Sequence, residues 1–253
     1  MSNLLPGDSN GTPWQGRHFD DNEFAADDGA ASPALLEALR RFRARETSEA
    51  AVVDVVRQTR LLIPLIARVG ESGRGERGLT VDKRAELSIV TVAGPDGRNV
   101  MPVFSSVDAM RRWNPDARPV PADAVRVGLA AASERTDLVV LDPTSETEFV
   151  LRRPAVWAIA QGIDWTPSRA DDEVLVALIG ATTSEPLVRA VDVESGDPDA
   201  RLAGPELVVN LRLQPGLDAA ALEELLARLQ GRWAASEIIA ARVDSLAVRV
   251  LPS

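Results

Sequence analysis

The chain has 253 residues, 45% of them hydrophobic and mostly Ala, Val and Leu, so it can bury enough apolar surface to offset its ordering entropy. That length suits one large domain or two smaller ones. A net charge of −10 argues against a phosphate-backbone partner, and the lack of cysteine excludes a disulfide framework, a thiolate nucleophile and Cys-ligated zinc or iron-sulfur sites.

Residues 1–31 form a predicted extended segment, rich in Gly, Asp, Asn and Ser and without an apolar period. Its opening lacks the basic and apolar regions of a secretory signal, and no later run approaches the roughly 18 apolar residues of a spanning helix. The expectation is a soluble, cytoplasmic protein with no membrane partner. Yet this segment holds Trp14, Phe19 and Phe24, in a chain with five Trp, five Phe and no Tyr.

Ser32 followed by Pro33 predicts a helix start, with Leu35, Leu36, Leu39 and Phe42 on the apolar face. A second helix is predicted from Ser48 to about Gln58, with Val52, Val53 and Val56 inward. Leu61–Ile66 is a strand-length apolar run whose Pro64 points to an edge or bulge. Glu86–Ala93 and Val100–Phe104 read as strands joined by a hairpin through Gly94–Asn99. Short helices follow at Ser106–Trp113 and Pro121–Ser133, the second with Val125, Leu129 and Ala132 inward. Asp137–Leu141 reads as a buried strand ending in the Asp142-Pro143 turn, and Glu148–Leu151 as its return. Pro154 opens a helix carrying Val156, Trp157 and Ala160, which Gly162 closes. A linker is placed at Thr166–Asp172. Beyond it, Val174–Ile179, Leu187–Val193 and Leu207–Leu213 read as strands. Asp218 caps a helix with Leu222, Leu225, Leu226 and Leu229 on one stripe and its end at Gly231, and Ser245–Leu251 is a final strand. The fold class is α+β in two domains, 32–167 and 173–253, the latter a small β-β-β-α-β unit.

Chemistry-bearing patterns are sparse. Gly73–Gly78 matches GxGxxG, but a link into another strand follows where a phosphate site needs a helix N-terminus, so a loop is the better reading. His18 is the single histidine, too few for a two-histidine metal clamp. The adjacent acids Asp20-Asp21, Asp27-Asp28 and Asp171-Asp172 read as solvated loop charges. Asp192–Asp199 misses the spacing of a calcium loop. No catalytic residue, cofactor or metal is assigned. The best-placed polar site is the turn Asp142, Thr144, Ser145 at a strand end, with Arg152 and Arg153 facing it. An Asx turn, in which Asp142 bonds backbone N–H groups two residues on, is the favoured account of that turn.

MPVFSS, DAMRRW, DLVVLDP and RPAVWAIAQG, in that order between residues 101 and 162, resemble the SseB N-terminal domain family. With GTPWQGRHF near the start, the chain is similar to the actinobacterial SseB-like form over roughly residues 10–167. The resemblance implies an SseB-like N-terminal domain and brings no catalytic mechanism or cofactor with it. Many relatives carry Asn-Pro where this chain has Asp142-Pro143, which keeps the turn chemistry and changes its charge. The function expected is a non-catalytic protein-interaction module, with Trp14, Phe19 and Phe24 contacting an unidentified partner or a second copy. The alternative is a binder or enzyme for an anionic or amino-acid ligand at Asp142, Thr144, Ser145, Arg152 and Arg153.

Overall fold

Pro33 begins α1 (Pro33–Arg43) at the first-turn position, where a missing N–H costs nothing, after Ser32 in extended backbone. The computed structural model describes residues 27–69 and 85–251. Leu35, Leu39 and Phe42 enter the core, whereas Leu36, predicted on the same face, is largely exposed. α2 (Glu49–Arg57) is capped by Ser48, whose Oγ accepts from Ala51 N at 3.2 Å. Val52, Val53 and Val56 are buried as their spacing requires.

β1 (Leu61–Val69) pairs antiparallel with β2 (Ala85–Ile89) along its second half and with β5 (Arg118–Ala122) along its first. Pro64 therefore lies in a middle strand, against expectation. The reason is local. Leu62 N donates to Phe104 O at 2.8 Å, away from β5. Two residues on, Pro64 turns its nitrogen the same way, into the gap before the β2 pairing begins at Leu65. Its cross-strand neighbour on β5 is Pro119, so neither ring interrupts a ladder bond.

The predicted strand Glu86–Ala93 is split. β2 ends at Ile89, and β3 (Val92–Ala93) joins β4 (Asn99–Val103) in a different sheet. The hairpin at Gly94–Asn99 thus links β3 and β4, with Gly94 N donating to Arg98 O at 2.7 Å and Gly97 in the left-handed region at φ 81°. That sheet runs β3-β4-β6-β7, with β6 (Val139–Leu141) parallel to β4 and β7 (Phe149–Leu151) antiparallel to β6. α3 (Val107–Trp113) falls within the predicted Ser106–Trp113 helix, with Ser106 as its cap.

Helix α4 (Ala124–Ser133) starts after Asp123, not Pro121, which belongs to β5. Val125 and Leu129 point outward, 42% and 57% exposed, and Ala132 is exposed as well. The buried stripe is Ala124, Val127, Gly128 and Ala131 because α4 packs closely on α5 (Arg153–Gln161). A Cβ on Gly128 would lie 2.9 Å from Ala160 Cβ and 3.2 Å from Val156 O, a separation that only a small-residue face permits. Trp157 of α5 is also turned out, with the Arg153 guanidinium 4.9 Å from its ring centroid. Gly162 closes α5 in the left-handed conformation, as predicted.

The run Val174–Ile179 is helical, not a strand: α6 (Asp172–Gly180) begins where Asp171 Oδ1 accepts from Glu173 N and Val174 N. β8 (Val188–Ser195), β9 (Leu207–Leu213), α7 (Ala219–Ala234), α8 (Glu237–Arg242) and β10 (Leu246–Leu251) follow. β9 is central, antiparallel to β8 and parallel to β10. α7 is capped by Asp218 but runs through Gly231, because Trp233 continues the buried stripe of Leu225 and Leu229. The α+β class holds, and the C-terminal order is α-β-β-α-α-β in place of β-β-β-α-β.

Two large apolar clusters result. One joins α1, α2, α4 and α5 to β1, β4, β6 and β7; the other joins α6, α7 and α8 to β8, β9 and β10. The β8–β9 connection crosses between them. Its Ala200 enters the first cluster, Leu202 packs with Val100, Leu138, Val140 and Val150, and Ala200 O accepts from Val150 N at 2.8 Å. No helix among the described residues is long and apolar enough to cross a membrane.

Candidate functional site

The turn after β6 brings Asp142, Thr144 and Ser145 together, but as an internal tie. Asp142 is 1% exposed. Its Oδ1 accepts from Ser105 N at 2.8 Å, and its Oδ2 from Ser105 Oγ at 2.6 Å and Thr147 Oγ1 at 2.8 Å. Ser145 Oγ donates to Asp142 O at 2.7 Å. The carboxylate thus fastens the end of β6 to the residue before the α3 cap, which is not the predicted bond to N–H groups two residues on. Asp142 and Thr144 both adopt left-handed backbone, at φ 45° and 64°, the first held by these bonds and the second by Thr144 N donating to Glu148 Oε2 at 2.5 Å.

Neither Arg152 nor Arg153 bonds to this turn. The guanidinium that reaches it is that of Arg201, Nη2 donating to Ser145 O at 3.3 Å and Glu146 O at 3.4 Å. Asp142→Ala is therefore expected to leave the buried Ser105 N–H without an acceptor and to lower stability by about 2–3 kcal/mol, read from urea denaturation. An unchanged midpoint would return the carboxylate to the role of a free ligand group.

Arg152 instead enters a buried charge junction that no sequence motif marks. As the N-cap residue of α5 it is 4% exposed, and its guanidinium turns toward the β8–β9 connection and the start of β10. Nη2 donates to Asp197 Oδ2 at 2.7 Å and Gly204 O at 2.8 Å; Nη1 donates to Asp244 Oδ2 at 3.1 Å. Arg98, from the β3–β4 hairpin, grips Asp244 with two parallel bonds of 2.9 Å. Asp197 also accepts from Leu202 N at 2.8 Å and Arg201 N at 3.1 Å, which folds the crossing loop around it. Arg153 donates to Val243 O beside the same junction.

Two further carboxyls complete this region. Burial raises the pKa of Glu206 despite bonds from the Ser168 hydroxyl and Asp244 N. Burial, reinforced by the charge of Glu206 and opposed by Arg152 and Arg169, pushes Glu49 up to about 7. For Asp244 burial opposes ionisation, but the bonds and charge of Arg98 with the charge of Arg152 outweigh it and hold its pKa low. The junction thus sets two carboxyls raised by burial, Glu49 and Glu206, beside the ion pairs of Arg152 and Arg98.

A second feature is apolar and outward. Trp157, Ile163, Val176 and Ile179 are 42%, 53%, 70% and 51% exposed. Trp157, Ile163 and Trp165 line a groove of about 420 Å³ whose other wall includes Ala241 and Arg242 of α8. Val176 and Ala177 line a second hollow of about 240 Å³ with Ile238 of α8. Between them Arg242 bridges Asp171 at 3.0 Å and Glu173 at 2.9 Å.

Trp14, Phe19, Phe24, His18, Asp20, Asp21 and the Gly73–Gly78 pattern lie outside the described residues. Asp27 and Asp28 accept from Gly29 N and Ala30 N in tight turns. The run 192–199 gathers no ion site: Asp192 accepts from Asn210, Asp197 faces Arg152 and Asp199 pairs with Arg45. Among the described residues no group of three His, Asp or Glu is placed to hold a metal.

Comparison with known proteins agrees with the N-terminal motifs and narrows their extent. No curated protein and no solved structure matches the chain at a significant level. The model of the SseB protein N-terminal domain matches residues 35–158, from the first buried leucine of α1 to the middle of α5, leaving out the aromatic N-terminal segment and the C-terminal cluster. Residues 35–158 are thus an SseB protein N-terminal domain.

Proposed function

We propose that this SseB-like chain is a non-catalytic, cytoplasmic protein-interaction module of two α+β domains, 32–167 and 173–253. The observation that carries the reading is the concentration of exposed large apolar side chains, Trp157, Ile163, Val176 and Ile179, along the meeting of α5, α6 and α8. α6 is apolar on both sides, with Val174 and Leu178 inward and Val176 and Ile179 outward, a pattern that calls for a partner on the outer face. In support of a non-catalytic role, Asp142, Arg152, Asp197 and Asp244 all bond to internal partners. Trp14, Phe19 and Phe24 offer a second contact for the same or another protein.

Affinity capture from the source cytosol, quantified by mass spectrometry, tests this with the intact chain, Trp157→Ala/Val176→Ala and Trp14→Ala/Phe19→Ala. The expected result is a specific protein retained by the intact chain and lost from at least one folded double variant. The same captured set from all three would contradict the reading.

A further inference from the structure

We propose that the α5–α6–α8 surface receives a basic amphipathic helix of another protein, an inference that rests on the interaction reading above and names its partner class. The two hollows lie along one face of α8, since Ile238 lines one and Ala241 with Arg242 lines the other. These positions are spaced three and four residues apart, so the hollows are offset by about 4.5–6 Å along the helix. Anchors one turn apart on an incoming helix have the same spacing, the i and i+3 or i+4 side chains of helix-in-groove recognition. Each hollow offers an apolar wall, Trp157 and Ile163 in one, Val176 and Ile238 in the other.

The rim selects the charge of the occupant. The Asp164 side chain is fully exposed and pairs with Arg57 at 3.2 Å, that of Glu173 is 62% exposed, and Asp172 is also exposed, so that Asp164, Asp171, Asp172 and Glu173 outnumber the arginines beside them, Arg57, Arg242 and the Arg153 that lies over the Trp157 ring. A chain of net charge −10 adds a long-range attraction for cations. The same charge disfavours the other occupants. A second copy would bring an identical acidic rim against the first. Residues 1–26 carry four acids, Asp8, Asp20, Asp21 and Glu23, against one arginine, Arg17. A Lys- or Arg-flanked helix with two apolar anchors satisfies both the hollows and the rim.

The test uses a synthetic Leu/Lys amphipathic peptide and its Leu/Glu counterpart, titrated calorimetrically against the full chain at physiological salt. The Leu/Lys peptide is expected to bind and the Leu/Glu peptide not. Trp157→Ala and Val176→Ala, each checked by circular dichroism for retained fold, are expected to weaken binding at least tenfold. Asp164→Lys/Asp172→Lys should do the same, while Val120→Ala, at an exposed apolar position on β5, should leave it unchanged. Equal binding by Trp157→Ala and Val176→Ala would show charge attraction alone and overturn the proposal. Leu/Glu binding that depends on Trp157 and Val176 would sink the basic partner while keeping the interaction surface, whereas failure of both peptides would sink both. Binding seen only after deletion of residues 1–26 would assign the groove to the chain's own segment. A dimer abolished by Val176→Glu in sedimentation would assign it to a second copy, and either result overturns the proposal.

Discussion

Replacing Arg152 with Met will lower the stability of the chain by about 3–5 kcal/mol, the cost of leaving buried carboxylates without their cation. The side chains of Asp197 and Asp244 are 2% and 1% exposed, and both point at the Arg152 guanidinium. Met fills most of the volume, so the loss is electrostatic and not a cavity. Arg98 continues to hold Asp244, which limits the damage on that side and places most of it on Asp197. A lysine in place of Arg152 would keep the charge but could not donate in a planar fork to Asp197, Gly204 and Asp244 together, so Arg152→Lys should also lose stability, by a smaller amount. Because a domain's net stability is about 5–15 kcal/mol, the Met variant should show a clear fall in the urea midpoint. Adding Asp197→Asn to Arg152→Met should recover part of the loss by removing the uncompensated charge. A loss below about 1 kcal/mol for Arg152→Met alone would mean that the junction does not hold the two apolar clusters together.

The sequence carries the local part of this architecture and little of the long-range part. Helix starts at Ser48, Ser106 and Asp218 were legible because a cap and its helix are neighbours in the chain, and the start after Ser32, whose side chain makes no cap bond, because Pro33 adjoins it. The α6 error has the same locality: Val174–Ile179 is a short apolar run whose period does not separate strand from buried helix, and the deciding Asp171 cap looked like part of a polar linker. On α4 two stripes compete, and the larger Val125 and Leu129 side chains suggested the wrong one, since the close approach at Gly128 depends on α5. The junction was not legible at all. Arg152 meets Asp197 and Asp244 across 45 and 92 residues, and Arg98 meets Asp244 across 146, distances at which no spacing motif operates. Arg152 and Arg153 were conspicuous as a pair but assigned to the nearest polar turn. The outward apolar surface was hidden for the opposite reason: a helix carrying Trp157 and an apolar run at Val174–Ile179 do not show which side chains face out until the helices around them are placed.

Glu49→Gln should make the chain more stable at pH 8 and leave it nearly unchanged at pH 4.5. The sign follows from linkage. With a folded pKa of about 7 against an ordinary value of 4.5, the Glu49 carboxyl binds its proton more tightly in the folded chain. Between those limits the folded state carries more protons than the unfolded one, so stability falls as pH rises. The full difference corresponds to about 3 kcal/mol, an upper bound because Glu49 is half-buried and water screens part of its charge. The groups facing it are Glu206 from the start of β9, Arg152 from α5, Arg169 from the turn before α6 and Asp197 from the crossing loop. Glu206, raised by its own burial, acts in the same direction. Asp244, held low, contributes stability that is lost only in acid below its ordinary range, outside this window. Glutamine keeps the shape and removes the proton, so melting temperature plotted against pH should flatten between about pH 4.5 and pH 7 in the variant, the span between the two pKa values. A variant whose curve stays parallel to that of the native chain would show that Glu49 is not the group titrating at the junction.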